Sequence, residues 1–280
     1  MSFYSFAYHQ LLKRHYYAIT GPKRVLPNFL IIGAKRCGTT SLFSHLPEHP
    51  CIVESHHDNI GFFNDNFNLG VNWYKSFFPT KSYKKKIEKK YGKFLAFDVT
   101  TRYMENKRTA ENIKKIKPEI KIIVMLRNPI DRAYSQFHVS VKDNDEQLSF
   151  DEAVNEEMNR LKQEIEECSD DELRAFPKEH RHYIRKSLYA IQLRPWFDIF
   201  PRENILVLST EMFKENEKQI YNEIFKFLDI PEIQIRDKQH MQKGEYSPMN
   251  EKTRKELSIY FKKHNEELFD LIGKRFDWDD

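Results

Sequence analysis

Phe29-Leu-Ile-Ile-Gly33-Ala-Lys35-Arg36-Cys37-Gly38-Thr39-Thr40-Ser41-Leu42 sets an apolar run, a glycine-bounded turn and a helix start in immediate succession. The apolar run predicts a buried strand, and the glycines let backbone N–H groups approach an anion. Thr39, Thr40 and Ser41 add hydroxyls at the positive end of the new helix. The reading is a phosphate-binding loop. Its Gly33-x4-Gly38 spacing matches the P-loop, yet Thr39 stands where a nucleotide triphosphatase carries its Lys. Phosphate binding is therefore expected, and ATP hydrolysis is disfavoured. The alternative is a strand-to-helix turn with no ligand, which α/β proteins also use.

Outward from this loop the pattern repeats. Phe94 to Val99, Lys121-Ile-Ile-Val-Met-Leu126 and Asn204 to Leu208 are apolar runs suited to parallel strands buried on both faces. Helical patterns lie between and after them, at Lys107–Lys117, Phe150–Glu167, Arg185–Phe200, Glu217–Leu228 and Asn250–Ile272. Leu193, Trp196, Phe197 and Phe200 share one face. Ile220, Ile224, Phe227 and Leu228 form another, and Leu257, Phe261, Leu268 and Ile272 a third. Lys81–Lys93 reads as a lysine-dense connector with solvated charges, and Cys168–Lys178 as an exposed one. This alternation predicts an α/β fold: a P-loop-like open, mostly parallel sheet flanked by helices. One domain over residues 27–280 is expected, preceded by an aromatic and basic extension over residues 1–26. That extension is either a helix docked on the domain, the preferred reading, or an amphipathic segment in weak contact with a membrane surface.

Composition bounds the rest. The 280 residues are 40% hydrophobic and 14% aromatic, enough for a packed core. Lys plus Arg number 46 against 42 acidic residues, an excess too small and scattered to predict nucleic-acid binding. Cys37, Cys51 and Cys168 have no metal-ligand spacing, and no stretch has the length and apolarity of a membrane span. A reducing, cytoplasmic setting is expected, with peripheral membrane contact the alternative.

Two further stretches carry polar chemistry. Arg127-Asn-Pro129-Ile-Asp-Arg132-Ala-Tyr-Ser135 follows the Lys121 strand, which puts Arg127 at the carboxyl edge where open sheets bind ligands, with Ser135 two turns into the next helix. Glu54-Ser-His56-His57-Asp58-Asn59-Ile-Gly61-Phe62-Phe63 sets acids and imidazoles beside aromatic residues, as a substrate pocket with a general base requires. A surface loop pinned by its buried aromatics is the equal alternative.

Taken together, the Gly33–Leu42 and Leu126–Ser135 segments resemble the sulfotransferase family that uses 3′-phosphoadenosine 5′-phosphosulfate, in particular its heparan sulfate and carbohydrate branch. Gly70-Val-Asn-Trp73-Tyr74, Tyr189-Ala-Ile-Gln-Leu193 with Trp196, and the Lys243-Gly244 turn add to the likeness, which runs from about Pro27 to Trp278. The resemblance implies that Lys35, Arg36, Cys37, Gly38, Thr39, Thr40 and Ser41 form the 5′-phosphosulfate loop. Arg127, Ser135, Tyr189, Lys243 and Gly244 would serve the rest of the nucleotide, the 3′-phosphate above all. Arg36 occupies the place of the family's Lys, keeping the positive charge but unable to donate a proton at neutral pH. No metal is implied, and the desulfated nucleotide is the product. The acceptor would be a glycan, a glycolipid or a small molecule, and the number of subunits is left open.

Heparan-type members often carry Lys-Glu-x-His-Phe-Phe where this chain has Asp58-Asn59-Ile-Gly61-Phe62-Phe63. Asn59 cannot take a proton, so the base is expected nearby: His57 first, for its near-neutral pKa, with Asp58, His56, Glu54 and Asp98 as alternatives. Two rival functions stay open, a P-loop kinase or triphosphatase and a nucleotide-binding protein that has lost its base.

Overall fold

A computed structural model of the protein describes residues 17–167, 182–235 and 247–278. The expectations placed on residues 1–16, Cys168, Lys243 and Gly244 lie outside them.

The strands are β1 (Phe29–Gly33), β2 (Ile52–Glu54), β3 (Leu95–Val99), β4 (Lys121–Leu126) and β5 (Ile205–Ser209). The α-helices are α1 (Thr39–His45), α2 (Gly70–Lys75), α3 (Lys81–Tyr91), α4 (Lys107–Ile116), α5 (Pro129–Lys142), α6 (Phe150–Glu167), α7 (Tyr189–Ile199), α8 (Thr210–Glu215), α9 (Glu217–Leu228) and α10 (Glu251–Ile272). The strands join in the order β2-β3-β1-β4-β5, every pair parallel. Parallel neighbours require crossovers, and helices supply them, covering the sheet so that β1 and β3 are buried along their whole length. The α/β expectation holds.

One local expectation is corrected. Lys81–Lys93 is a helix through Tyr91: Thr80 accepts the Tyr83 N–H at its start and Gly92, at φ 82°, closes it. Lysine is a good helix former, so the segment needs no broad apolar stripe. The short edge strand β2 adds to the expected strands; three residues give no periodicity to recognise in sequence.

The helix faces follow the predicted pattern with two exceptions. Leu193, Trp196, Leu257, Phe261 and Leu268 are buried, whereas Phe227 is only half-buried and Phe225 takes the inward place on α9. Phe197 is likewise half-buried. A second cluster, built from Ile130, Ala133, Phe137, Phe150, Val154 and Phe261, locks α5, α6 and α10 together beside the sheet. The described end of the amino-terminal extension packs on the domain. Val25 N donates to the Pro79 carbonyl at 3.1 Å, and Arg24 Nη1 to that of Phe78 at 2.7 Å.

Candidate active site

The sheet order places β1 between β3 and β4, so the turn leaving β1 opens beside the exit of β4 at the sheet's carboxyl edge. Two residues of that turn are left-handed, Arg36 at φ 71° and Gly38 at φ 84°. Gly38 takes this without cost, while a side chain there costs about 1–2 kcal/mol, a strain that Arg36 carries. The loop is held from beneath: Thr210 Oγ1 lies 2.8 Å from the carbonyls of both Cys37 and Leu126. A single hydroxyl therefore ties the β1 turn to the β4 exit.

The second turn is braced as firmly. Asn128 caps α5 by accepting from the N–H of Ile130 at 2.9 Å, and Pro129 occupies the first helical position. Glu211 accepts the Asn128 N–H at 3.0 Å with one oxygen, and Trp278 Nε1 and the Ser209 hydroxyl with the other. The Tyr189 hydroxyl donates to the Arg127 carbonyl at 2.9 Å. These contacts fix the backbone, while the side chain's Nε is buried and, among the described residues, has no hydrogen-bond partner.

The two turns touch, since Arg36 Nε donates to Ser135 Oγ at 3.1 Å. More cations lie behind them. Arg132 is fully buried, its Nε donating to Ser187 Oγ at 2.7 Å while Nη1 is unpartnered among the described residues. Lys186 pairs with Glu105 at 3.4 Å, both buried. Burial pulls the Lys35 pKa below the ordinary lysine range, and the positive charge of Lys186 pulls it further. A half-buried group of cations with spare donors has the chemistry to hold an anion.

In front of it lies a cleft of about 340 Å³ whose walls include Lys35, Arg36, Thr39, Thr40, Asp58 and Thr101. Asp58 is exposed there and accepts from Asn59 Nδ2 at 3.2 Å, while Asn59 Oδ1 accepts the Thr101 N–H at 3.3 Å. Asn59 is thus a bracket that steadies the carboxylate beside it.

The structure distributes the sequence candidates unevenly. His57 is not among the residues lining this cleft; its ring stands edge-on to Phe77. Glu54 and His56 line a neighbouring cavity. Asp98 is fully buried, accepting from the hydroxyls of Tyr74 at 2.9 Å, Tyr103 at 3.0 Å and Thr100 at 3.0 Å. Burial raises its pKa to about 6, against the pull of those donors. Cys37 and Tyr189 were expected at the nucleotide, but both side chains lie under the loop, thiol to hydroxyl at 3.8 Å. Burial pushes the Cys37 thiol up to about 11. Their contribution is to position the backbone above them. Lys186, Thr210 and Glu211 are the groups that sequence reasoning missed. Each comes from a segment with no motif of its own, brought in by the crossovers.

The sulfotransferase domain family matches residues 26–280. This chain belongs to that family. The sulfotransferase is 26% identical over 326 residues to the membrane-associated sulfotransferase kil1 of Dictyostelium discoideum, covering 93% of this chain and 68% of that protein. It is 27% identical over 281 residues to the bifunctional heparan sulfate N-deacetylase/N-sulfotransferase 3 of Homo sapiens. That alignment takes in 89% of this chain but spans only 30% of the human protein. Among solved structures, a sulfotransferase from Alicyclobacillus acidocaldarius superposes with a TM-score of 0.68 at 26% identity, covering 91% of this chain and all of that one. The kinase reading is not favoured. The cytoplasmic expectation is corrected, because one of these relatives is named membrane-associated. Its cysteine argument was weak on physical grounds: Cys37 and Cys51 are buried thiols, whose packing suits any compartment. Among the described residues no helix is long and apolar enough to cross a membrane.

Proposed function

We propose that this sulfotransferase moves a sulfuryl group from 3′-phosphoadenosine 5′-phosphosulfate to a hydroxyl or amine of a glycan. The observation that carries the reading is the Arg36–Ser135 contact, which joins two candidate anion grips, with Arg127 Nε unpartnered among the described residues. A nucleotide anionic at two separated positions fits such a pair, and the spare donors of Arg127 and Arg132 fit it better than a neutral ligand. Gly38, Thr39, Thr40 and Ser41 would hold the 5′ end; Arg127, Ser135 and the Lys243-Gly244 turn would hold the 3′-phosphate. The matched relative named as a heparan sulfate N-sulfotransferase supports a glycan acceptor. The match over residues 26–280 supports reading residues 27–280 as the catalytic unit and 1–26 as an extension.

The bound donor supplies the activated sulfuryl group and leaves as the bisphosphate nucleotide. Asp58 takes the acceptor's proton, the role first expected of His57, because it is exposed in the cleft while the other carboxylate lining it, Asp65, is paired with Arg102 at 3.1 Å. Arg36 holds a fixed positive charge where negative charge grows on the departing oxygen. Lys35, with its pKa lowered, can return a proton to that side, which Arg36 cannot.

Calorimetric titration with 3′-phosphoadenosine 5′-phosphate and with ATP tests the donor. The bisphosphate should bind and ATP should compete poorly; a preference for ATP would reject the reading. Release of the bisphosphate in the presence of a glycan panel tests the acceptor.

A further inference from the structure

The amino end of the sheet, opposite the phosphate loop, carries a cleft of about 410 Å³ that the transfer chemistry does not use. Arg24, Lys75, Lys81, Lys84, Lys85 and Lys117 line it, with Glu88 the single carboxylate among its lining residues. Lys81, Lys84, Lys85 and Glu88 share one face of α3, three and four residues apart. Lys117 is half-buried, and burial, reinforced by the charge of Lys84, lowers its pKa to about 8. The chain thus crowds cations into a concave site and supplies one counter-charge.

Shared lining residues link this cleft to the transfer centre. A middle cavity of about 530 Å³ shares Arg24 with the lysine cleft and Phe43 with the phosphate-loop cleft. Phe43 and Tyr83 give that middle cavity aromatic walls, and Glu54 and His56 give it hydrogen-bonding groups. Aromatic walls with polar edges suit a neutral sugar face, and the ammonium groups beyond suit carboxylates or sulfates. Five residues of β1 set the two ends roughly 17 Å apart, farther than a disaccharide reaches.

We infer that the lysine cleft is a distal subsite for an acidic glycan, holding anionic groups of a long acceptor whose reacting sugar lies at the phosphate loop. The inference rests on the glycan-acceptor reading and names the acceptor's charge and length. A flat anionic lipid surface would meet the outward lysines of α3 instead. Lys86, Lys89 and Lys90 are exposed and do not line the cleft.

The test compares binding of an acidic tetrasaccharide and an acidic dodecasaccharide of alternating uronate and hexosamine by fluorescence anisotropy. The dodecasaccharide should bind more tightly. K81Q/K85Q should weaken it roughly tenfold and leave the tetrasaccharide alone, whereas K86Q/K89Q/K90Q should change neither. Added salt should shrink the advantage of the longer chain. Equal affinity for both lengths, or equal losses in the two variants, would overturn the inference. So would a K81Q/K85Q protein that keeps its dodecasaccharide affinity but loses binding to phosphatidylserine vesicles. Affinity for 3′-phosphoadenosine 5′-phosphate, measured alongside, judges the donor separately: its absence with the oligosaccharide pattern intact would fail the donor reading and leave the subsite standing.

Discussion

Asp98→Asn should change how stability depends on pH while leaving transfer in place. The wild-type carboxyl is fully buried, with a pKa raised from 3.8 to about 6. Below 3.8 it is protonated in both the folded and the unfolded chain and exerts no pH-dependent effect. Between 3.8 and about 6 the unfolded chain gives up the proton while the fold retains it, so stability falls as pH rises. Above that window the loss is complete, about 3 kcal/mol at about 1.4 kcal/mol per pH unit. Asn accepts from Tyr74 and Tyr103 through its oxygen and donates to Thr100 through its nitrogen, so the geometry survives without the charge. The stability of the variant minus that of the wild type should therefore increase by about 3 kcal/mol from about pH 4 to about pH 7. Urea unfolding followed by the fluorescence of the buried Trp73, Trp196 and Trp278 reads this difference. A difference independent of pH would show that the three hydroxyl donors cancel burial, and one of opposite sign that they outweigh it. Turnover completes the test. Tyr103 accepts the Phe62 N–H at 3.0 Å while donating to Asp98, making Asp98 a brace for the loop that follows Asp58. A loss of a hundredfold or so in turnover with nucleotide affinity intact would make it a base instead.

Arg127→Met should weaken binding of 3′-phosphoadenosine 5′-phosphate about 10- to 100-fold, the worth of a hydrogen bond to a charged group, with little change in melting temperature; calorimetry and thermal unfolding check the pair. Asp58→Asn should lower turnover by about a hundredfold without changing nucleotide affinity, and His57→Ala should stay near wild type, both read from steady-state release of the bisphosphate. Lys186→Met strands the buried Glu105 and should cost about 3 kcal/mol, part of which Glu105→Gln restores, as urea unfolding of the single and double variants will show.

The strand-loop-helix grammar around Gly33 and Leu126 was legible because a buried parallel strand is apolar without interruption and its exit must be polar and turn-forming. The α3 helix escaped notice because its stability comes from propensity and caps, which leave no stripe to count. His57 was favoured over Asp58 on intrinsic pKa, a property of the residue, while access to the cleft is a property of the backbone at Ser55–Asn59. The same limit applies to Asp98, an alternative base by residue type that the fold buries against the hydroxyls of Tyr74 and Tyr103.

From the chain alone came the expectation that two turns bind an anion, since phosphate recognition depends on residue types at short spacing: glycine, hydroxyls and an arginine at a helix start. That these turns meet through Arg36 and Ser135, ninety-nine positions apart, came only with the sheet order that sets β1 beside β4. So did the cation reserve of Lys186 and Arg132 and the lysine cleft at the far end. Local chemistry is written in neighbours along the chain, whereas burial, charge crowding and reach depend on which distant segments the crossovers bring together.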